Sequence, residues 1–401
     1  MRVAVVGAGA AGIMAAIAAA EHGAEVILLE KNDRIGKKIL ATGNGRCNLT
    51  NINADISDYH GEDTSFINYA ENNFWVAETL DKFSDMGLLY RVEEDGKVYP
   101  YSNAASTVLD VLRFETERKN IKTEYGFDVE SVKKTGNKFI ISSYGKKQIE
   151  SDKVIVTTGG KAAPASGSNG SGYKILENFG HKMTRVFPSL VQVKLEKSEL
   201  RALNGLKLDA KVKFENKSSS AKASGELLFT DYGISGPVVF AISRIVGEGE
   251  NTTAEIDMMP EYSFNDLVEI LKKQRKIMSV ADELFVGVLN KRIGQVITKM
   301  CTDLKMNGDI KKITDADIKR IASKIKAYRV KCSGTMSWNN AQVTAGGIKT
   351  EDFFADSMES KLTKGLYAAG EVLDIDGDCG GFNLQWAWSS GYIAGRSAAR
   401  D

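Results

Sequence analysis

Residues Arg2–Glu30 read RVAVVGAGAAGIMAAIAAAEHGAEVILLE. A β-branched run, Val3–Val6, meets Gly7, Gly9 and Gly12 at G-x-G-x-x-G spacing. An Ala-rich helical stretch, Ile13–His22, follows and stops at Gly23. A second apolar run, Glu25–Leu29, closes on Glu30, 18 residues past the third glycine. Strand, glycine turn, helix, strand and acid make a dinucleotide-binding unit. Gly7 permits the sharp turn, Gly9 lets the main chain approach a pyrophosphate, and Gly12 lets the helix pack close to the sheet. Free N–H groups at the helix start, those of Ala10 and Ala11 among them, then meet phosphate with a favourable dipole. Glu30 can accept hydrogen bonds from ribose hydroxyls and would repel a 2′-phosphate, which selects FAD or NAD over NADP. Two other readings of Met1–Ala20 compete, a signal peptide and a membrane span. The glycine interruptions and the strand–turn–helix order decide against both.

The rest of the chain narrows the function class. Its 401 residues carry 53 Lys and Arg against 52 Asp and Glu, a net charge of +1. That balance offers no electrostatic case for nucleic acid or for an anionic membrane, and predicts a small-molecule substrate. Cys47, Cys301, Cys332 and Cys379 form no C-x-x-C pair, so no zinc knuckle or thioredoxin-type dithiol is encoded. The usage fits a reducing cytoplasm. With three histidines only, no metal site is expected, and the hard chemistry falls to a cofactor.

Which dinucleotide is bound is decided at the far end. Gly365–Glu371 reads as a short apolar strand ending in a Gly-acid pair, Gly370-Glu371, and a helix-forming run covers Leu384–Ala399. Such an acid can bond the ribitol or phosphate of FAD, and the helix after it can aim its positive end at the flavin pyrimidine. A third segment agrees. Lys153–Thr157 is an apolar strand ending in Thr158-Gly159-Gly160, a backbone turn suited to the adenosine diphosphate moiety. Glu124–Val132 and Lys138–Ser143 read as strands of a small meander, which places Asp128 and Val129 near the adenine. The fingerprint and the closing acid must meet on one cofactor, so the FAD domain is discontinuous. The fold class is therefore α/β, a Rossmann-like FAD-binding domain with an insertion.

Gly36–Asn51 reads GKKILATGNGRCNLTN, Gly167–Tyr173 GSNGSGY, Leu228–Pro237 LFTDYGISGP, and Gly370–Gly391 GEVLDIDGDCGGFNLQWAWSSG. On these four segments the chain resembles the BaiN-like, or aminoacetone-oxidase-like, NAD(P)/FAD-dependent oxidoreductases over essentially its whole length. The resemblance implies an FAD domain carrying an inserted β-barrel-like domain, itself interrupted by a helical subdomain. It also implies that Thr230–Pro237 roofs the flavin. The residue patterns agree with that layout. Leu190–Leu195, Leu206–Glu215 and Ala221–Phe229 alternate like half-buried strands. From Ser263 the period becomes helical, with further helices over Phe285–Cys301 and Thr314–Ile325 and a return strand at Tyr328–Cys332. The expected boundaries are 1–187 with 338–401 for the FAD domain, 188–262 with 326–337 for the barrel-like insert, and 263–325 for the helical subdomain.

The expected cofactor contacts are Gly7, Gly9, Ala10, Ala11, Gly12, Glu30 and Lys31 at the opening unit. To these the loop after Glu30 adds Lys37, Lys38, Thr42, Gly43, Gly45 and Arg46. Asp128, Val129, Thr158, Gly159 and Gly160 lie towards the adenosine. Gly370, Glu371, Asn383, Leu384 and Gln385 lie towards the flavin, the last three through helix-opening N–H groups. Candidates for catalysis are Arg46, Cys47 and Tyr173. Cys47 is either a reactive thiol or a small packed residue, and its lack of a dithiol partner favours packing. Tyr173 is either a general acid or a packed aromatic. Asp374, Asp376 and Asp378 start a calcium-loop pattern that fails at Cys379 and Gln385. Trp386 and Trp388 read as packing. No Walker A, H-E-x-x-H or G-x-S-x-G pattern occurs. The expected activity is a cytoplasmic oxidoreductase with non-covalent FAD. It would take hydride from NAD(P)H as a transient reductant and pass it through flavin N5 to an organic acceptor such as an activated C=C bond. Two alternatives stay open: an amine or small-metabolite oxidase using oxygen, and a non-catalytic flavin-binding sensor or interaction module. The oligomeric state is left open.

Overall fold

The computed structural model describes residues 1–196 and 199–400. Strand β1 (Arg2–Val6) turns at Gly7, φ +100°, and a helix opens over Ala10–Glu21. A side chain at Gly7 is excluded twice, by that φ and by the Thr157 carbonyl oxygen 2.8 Å from where a Cβ would sit. Four more strands join β1: β2 (Glu25–Glu30), β3 (Lys122–Tyr125), β4 (Lys153–Val156) and β5 (Leu366–Ala368). All pair in parallel, in the order β5-β4-β1-β2-β3. β1 and β4 lie inside the sheet, and their almost unbroken valine and isoleucine runs are those of strands covered on both faces. The stretch Glu124–Val132 is not one strand. Gly126, φ +64°, breaks it, so its first residues extend the parallel sheet and Val129–Thr135 begins a three-stranded antiparallel meander.

The closing helix spans Phe382–Ala398 and packs on the opening helix. Their contact is backbone against backbone. A Cβ on Gly391 would overlap the Ala11 carbonyl, and one on Gly395 the Ala15 carbonyl. Both helices are apolar nearly all round, with Ala11–Ala19 of the opening helix buried, as expected of core helices. Trp386 and Trp388 are buried, and their indole N–H groups donate to the Gly370 and Leu49 carbonyls.

The chain divides into two compact units, Met1–Pro188 with Ala341–Asp401, and Ser189–Asn340. The second is a closed six-stranded barrel with helices of its own. In order around the barrel the strands are Val193–Leu195, Gly233–Ser235, Ser220–Phe229, Lys207–Glu215, Thr253–Asp257 and Tyr328–Thr335. The first strand is shorter than its alternation predicts, because Leu190 adopts φ +47°. Helices cover Phe264–Ile277, Lys291–Cys301 and Asp315–Lys326. Ser263 with Asp266 and Thr314 with Asp317 form capping boxes. The helix expected from Phe285 begins only at Lys291, since Gly287 takes φ +76° and the Asn290 side chain caps the new start.

The helix crossing is testable by sign. At an exposed helix position Gly→Ala stabilises, by up to about 1 kcal/mol. Gly391→Ala and Gly395→Ala are expected instead to destabilise by about 1–3 kcal/mol each, read as a lower urea midpoint. A raised midpoint in either variant would contradict the close crossing.

Candidate functional site

Every expected cofactor contact and every candidate for catalysis belongs to the first unit, whereas Thr230–Pro237 belongs to the second. The opening helix starts at Gly9, which offers no side-chain cap. Its first intrahelical bond is Ile13 N–H to the Gly9 carbonyl, so the N–H groups of Ala10, Ala11 and Gly12 have no helix carbonyl to donate to. A Cβ on Gly12 would overlap the Gly7 carbonyl, whereas one on Gly9 would meet no protein atom within 4 Å. The two glycines thus differ. Gly12 is demanded by the fold, and Gly9 faces open space.

Glu30, at the tip of β2, is buried yet keeps acceptor capacity. Its Oε2 takes the Ala8 N–H at 3.0 Å, and its Oε1 takes the Asn32 N–H at 2.8 Å and Asn32 Nδ2 at 2.6 Å. Lys31 beside it has its ammonium pKa lowered by burial, against the opposing pull of Asp128 and Glu30. The shift ties the meander residue Asp128 to the acid end of β2. Val129 is buried next to it.

The glycine loop crosses to the other end of the chain. Lys38 Nζ meets Glu371 Oε2 at 2.7 Å, and Glu371 Oε1 accepts the Thr344 N–H at 2.7 Å. A Cβ on Gly370 would press on the Ala11 side chain at 2.8 Å, and one on Gly159 would lie 3.9 Å from Glu371 Oε2. A Cβ on Gly160 would overlap Thr344 and come within 3.1 Å of the Tyr173 hydroxyl. The opening helix, the loop, the Thr158–Gly160 turn and the Gly370-Glu371 pair are therefore one constellation. Lys37 is half-buried beside Lys38. Thr42 donates its hydroxyl to the Ile39 carbonyl, and Gly43 and Gly45 take φ +55° and +83° as the loop coils.

The three candidates for catalysis come out differently. Arg46 pairs with Glu93 at 2.9 Å and lies 3.8 Å over the Tyr99 ring, which fixes its guanidinium. Cys47 is 0% exposed and burial pushes its thiol pKa up to about 12. Such a thiol carries almost no thiolate at neutral pH, which weighs towards the packed reading of Cys47 over the reactive one. Tyr173 is 4% exposed and its hydroxyl has no hydrogen-bond partner. Burial holds that hydroxyl protonated well above the usual tyrosine range, with Glu371 and Asp374 adding to the effect.

The closing helix also starts from glycine without a side-chain cap, at Gly381 with φ +108°. Here the expected donors need correcting. Gln385 N–H is already given to the Gly381 carbonyl at 3.0 Å. The Gln385 side chain is consumed as well, accepting from Thr50 and donating to Thr79 and Ser389. The helix begins earlier than the predicted Leu384, so its free N–H groups are those of Phe382, Asn383 and Leu384. The Asn383 side chain is spent on the loop before it, bonding Gly377 in both directions. Asp378 pairs with His60 at 2.8 Å, and among the described residues no group of acids, His or Cys is arranged to hold a metal.

The helix crossing sets the spacing of these two donor sets. Gly391 lies against Ala11 and Gly395 against Ala15, so the helices run in the same direction in a fixed register where they cross. The closing helix then projects about 12 Å beyond the start of the opening one, eight residues at the helical rise of about 1.5 Å. Two residues escaped the sequence reading. Thr344 ties Lys161 N–H, Ala162 N–H and Glu371 together, and its signal was a second Gly-Gly pair at Gly346 and Gly347. Asn48 is 9% exposed with an unpartnered Oδ1, and no sequence pattern marks it.

Residues 1–397 match the family profile described as HI0933-like protein Rossmann domain. The chain is 38% identical to the 3-dehydro-bile acid delta(4,6)-reductase of Clostridium scindens, over 99% of each chain. It is 31% identical to the ribosomal RNA dihydrouridine synthase of Escherichia coli, over 97% of this chain and 95% of that one. Among solved structures, the 3-ketosteroid-delta4-(5alpha)-dehydrogenase of Rhodococcus jostii superposes with a TM-score of 0.50 at 14% identity, covering 100% of this chain and 96% of that one. That likeness shows the fold. With a profile matched almost end to end and a relative aligned over nearly its whole length, the chain belongs to the HI0933-like Rossmann-domain family and is an FAD-dependent oxidoreductase.

Proposed function

We propose that the constellation in the first unit holds FAD non-covalently and that the enzyme reduces an activated C=C bond of a small molecule at the expense of NAD(P)H. One observation carries the FAD placement: two helices that start from glycine without a side-chain cap present free N–H groups, and the closing one begins about 12 Å further back along its axis than the opening one. The long helices of the second unit are capped by Ser263, Asn290 and Thr314, and in the first unit the helix Ala105–Arg118 also lacks a side-chain cap. What sets the opening and closing helices apart among the long ones is that both start from glycine and that they meet at Gly391 and Gly395. The opening helix would meet the pyrophosphate, with Gly9 leaving it room. The closing helix would meet the flavin pyrimidine, and the ribityl chain would span the interval. Glu30 would take ribose hydroxyls, Asp128 and Val129 would flank the adenine, and Glu371, steadied by Lys38, would face the ribitol. The Thr158–Gly160 turn, and the loop from Lys37 to Arg46, would line the backbone side.

Bound FAD supplies the hydride relay through N5. The protein would supply the proton, and Tyr173 is the candidate donor by position, a buried hydroxyl without a protein partner, whose raised pKa keeps its proton in place and also makes it a weaker acid. Arg46, fixed by Glu93 and Tyr99, is the loop's cation for negative charge that develops on an acceptor. The acceptor class is supported by the relatives, since both a delta(4,6)-reductase and a dihydrouridine synthase are named for adding hydrogen across a C=C bond. The net charge of +1 supplies no cationic excess for an RNA backbone, which favours the small-molecule member of that class.

Kinetic, binding and labelling measurements test this reading. Anaerobic stopped-flow mixing with NADH and with NADPH is expected to bleach the flavin with at least one of them; failure of both removes the reductase proposal. Gly9→Ala, at φ −82° and ψ −166°, suits alanine and touches nothing, so apo-protein stability should hold within about 0.5 kcal/mol. Its FAD affinity should nevertheless fall about tenfold or more, because the new methyl group occupies the pyrophosphate's place. Cys47→Ala should keep the rate of flavin reduction within about twofold, and iodoacetamide at pH 8 should leave Cys47 of the native protein unlabelled, as a thiol with a pKa of about 12 requires. Tyr173→Phe should lower turnover about 100-fold while leaving FAD binding intact. Because burial raises the Tyr173 pKa, its proton is present throughout the range below its ordinary value of 10.0 and is lost only above it. Wild-type turnover should therefore show no tyrosine-linked decline between pH 7 and pH 10.

A further inference from the structure

The glycine loop leaves one buried polar atom without a protein partner, and we propose that it reads the flavin ring. Asn48 Oδ1 is a positioning acceptor for the N3–H of bound flavin, set beside the free N–H groups of the closing helix. The inference rests on the FAD site above and adds to it the residue that recognises the pyrimidine edge.

Asn48 is more than nine-tenths buried, and its Oδ1 has no donor. The atom lies 3.0 Å from where a Cβ on Gly381 would be, and Gly381 is the residue from which the closing helix starts. The surrounding side chains are already occupied. Thr50 donates to Gln385, Asn51 donates to the Gly380 carbonyl, and Trp388 donates to the Leu49 carbonyl. These bonds lock the loop onto the helix start and leave Asn48 Oδ1 as the open acceptor there. A buried acceptor with no donor is destabilising and rare, so its retention points to a donor that arrives with a ligand. Phosphate oxygens carry no proton to give at neutral pH. The flavin pyrimidine edge does, since its N3–H lies between two carbonyl oxygens. The protein offers the complement, one acceptor beside helix N–H donors.

The test compares FAD with N3-methyl-FAD on apo-protein, by fluorescence titration, for the wild type and Asn48→Ala. The wild type is expected to bind FAD about tenfold or more tighter than the methylated cofactor, because methylation removes the donor and crowds the oxygen. Asn48→Ala should bind FAD more weakly than the wild type and treat the two cofactors alike within about threefold. An absorbance titration of the bound flavin gives a second readout, in which N3–H should ionise at higher pH in the wild type than in Asn48→Ala. Equal binding of both cofactors by the wild type overturns the assignment, as does discrimination that survives in Asn48→Ala. Should Asn48→Ala fail to fold, the wild-type comparison decides alone. Failure of the wild type to bind FAD at all overturns the site itself, whereas tight FAD binding without discrimination overturns only the role of Asn48.

Discussion

The crossing of the opening and closing helices is the constraint from which the candidate site follows. Two backbones touch where Gly391 faces Ala11 and Gly395 faces Ala15. Spacing glycines four residues apart puts them on one face of the helix, and no other residue allows so close an approach there. The contact fixes the register between two segments some 380 positions apart in sequence, and register is what sets the distance between their two free ends. A larger residue at either glycine would tilt or slide one helix, and both donor sets would lose their spacing together. The glycines of the opening turn are usually discussed for the phosphate they admit; here the glycines of the last helix matter as much, because they decide where the second set of donors lies.

Once the helices are crossed, the loop between Gly36 and Asn51 must be tied to both. At one end Lys38 reaches Glu371, and at the other Thr50 reaches the buried Gln385. Gln385 is fully enclosed and satisfied by three side chains, Thr50, Thr79 and Ser389. A buried network of this kind tolerates no missing member, since each deletion strands a partner in a low-dielectric interior. It therefore specifies one placement of the loop over the helix start. Cys47 lies in the middle of that loop with φ +62° and no exposure, a small residue in a tight coil. The same burial that packs it raises its thiol pKa.

Much of this was legible in the chain. Glycine spacing, an acid at the right interval and a Gly-acid pair near the C-terminus are local signals, and each reports a local backbone requirement. The places where the reading slipped share a cause. Glu124–Val132 reads as one alternating stretch, yet Gly126 divides it between two sheets, because hydrophobic alternation does not say which partner a strand will find. The period from Phe285 is helical, yet Gly287 takes a positive φ and delays the helix to Asn290 and Lys291. Gln385 looked like a donor because the helix was started at Leu384; a start at Phe382 moves the free N–H groups back along the chain and consumes that of Gln385. Asn48 was invisible for a different reason. Whether a polar atom has a partner is a property of the folded neighbourhood, and no spacing in the sequence encodes it.

The same logic bears on stability. Native interiors satisfy their buried polar groups, and each exception costs about 1–3 kcal/mol. The protein keeps Asn48 Oδ1 and the Tyr173 hydroxyl unpartnered, and starts the opening and closing helices from glycines without side-chain caps. Capping residues at Gly9 and Gly381 would each recover about 1 kcal/mol, but a side chain at Gly381 would strike the Thr50 backbone at 2.6 Å and one at Gly9 would fill the open space before the helix. In the proposed FAD site the open groups at Asn48, Tyr173 and the two helix starts would be binding groups. Stability withheld from the polypeptide would then be returned when the cofactor supplies the missing donors and acceptors, so cofactor occupancy and folding would be coupled through the same few atoms.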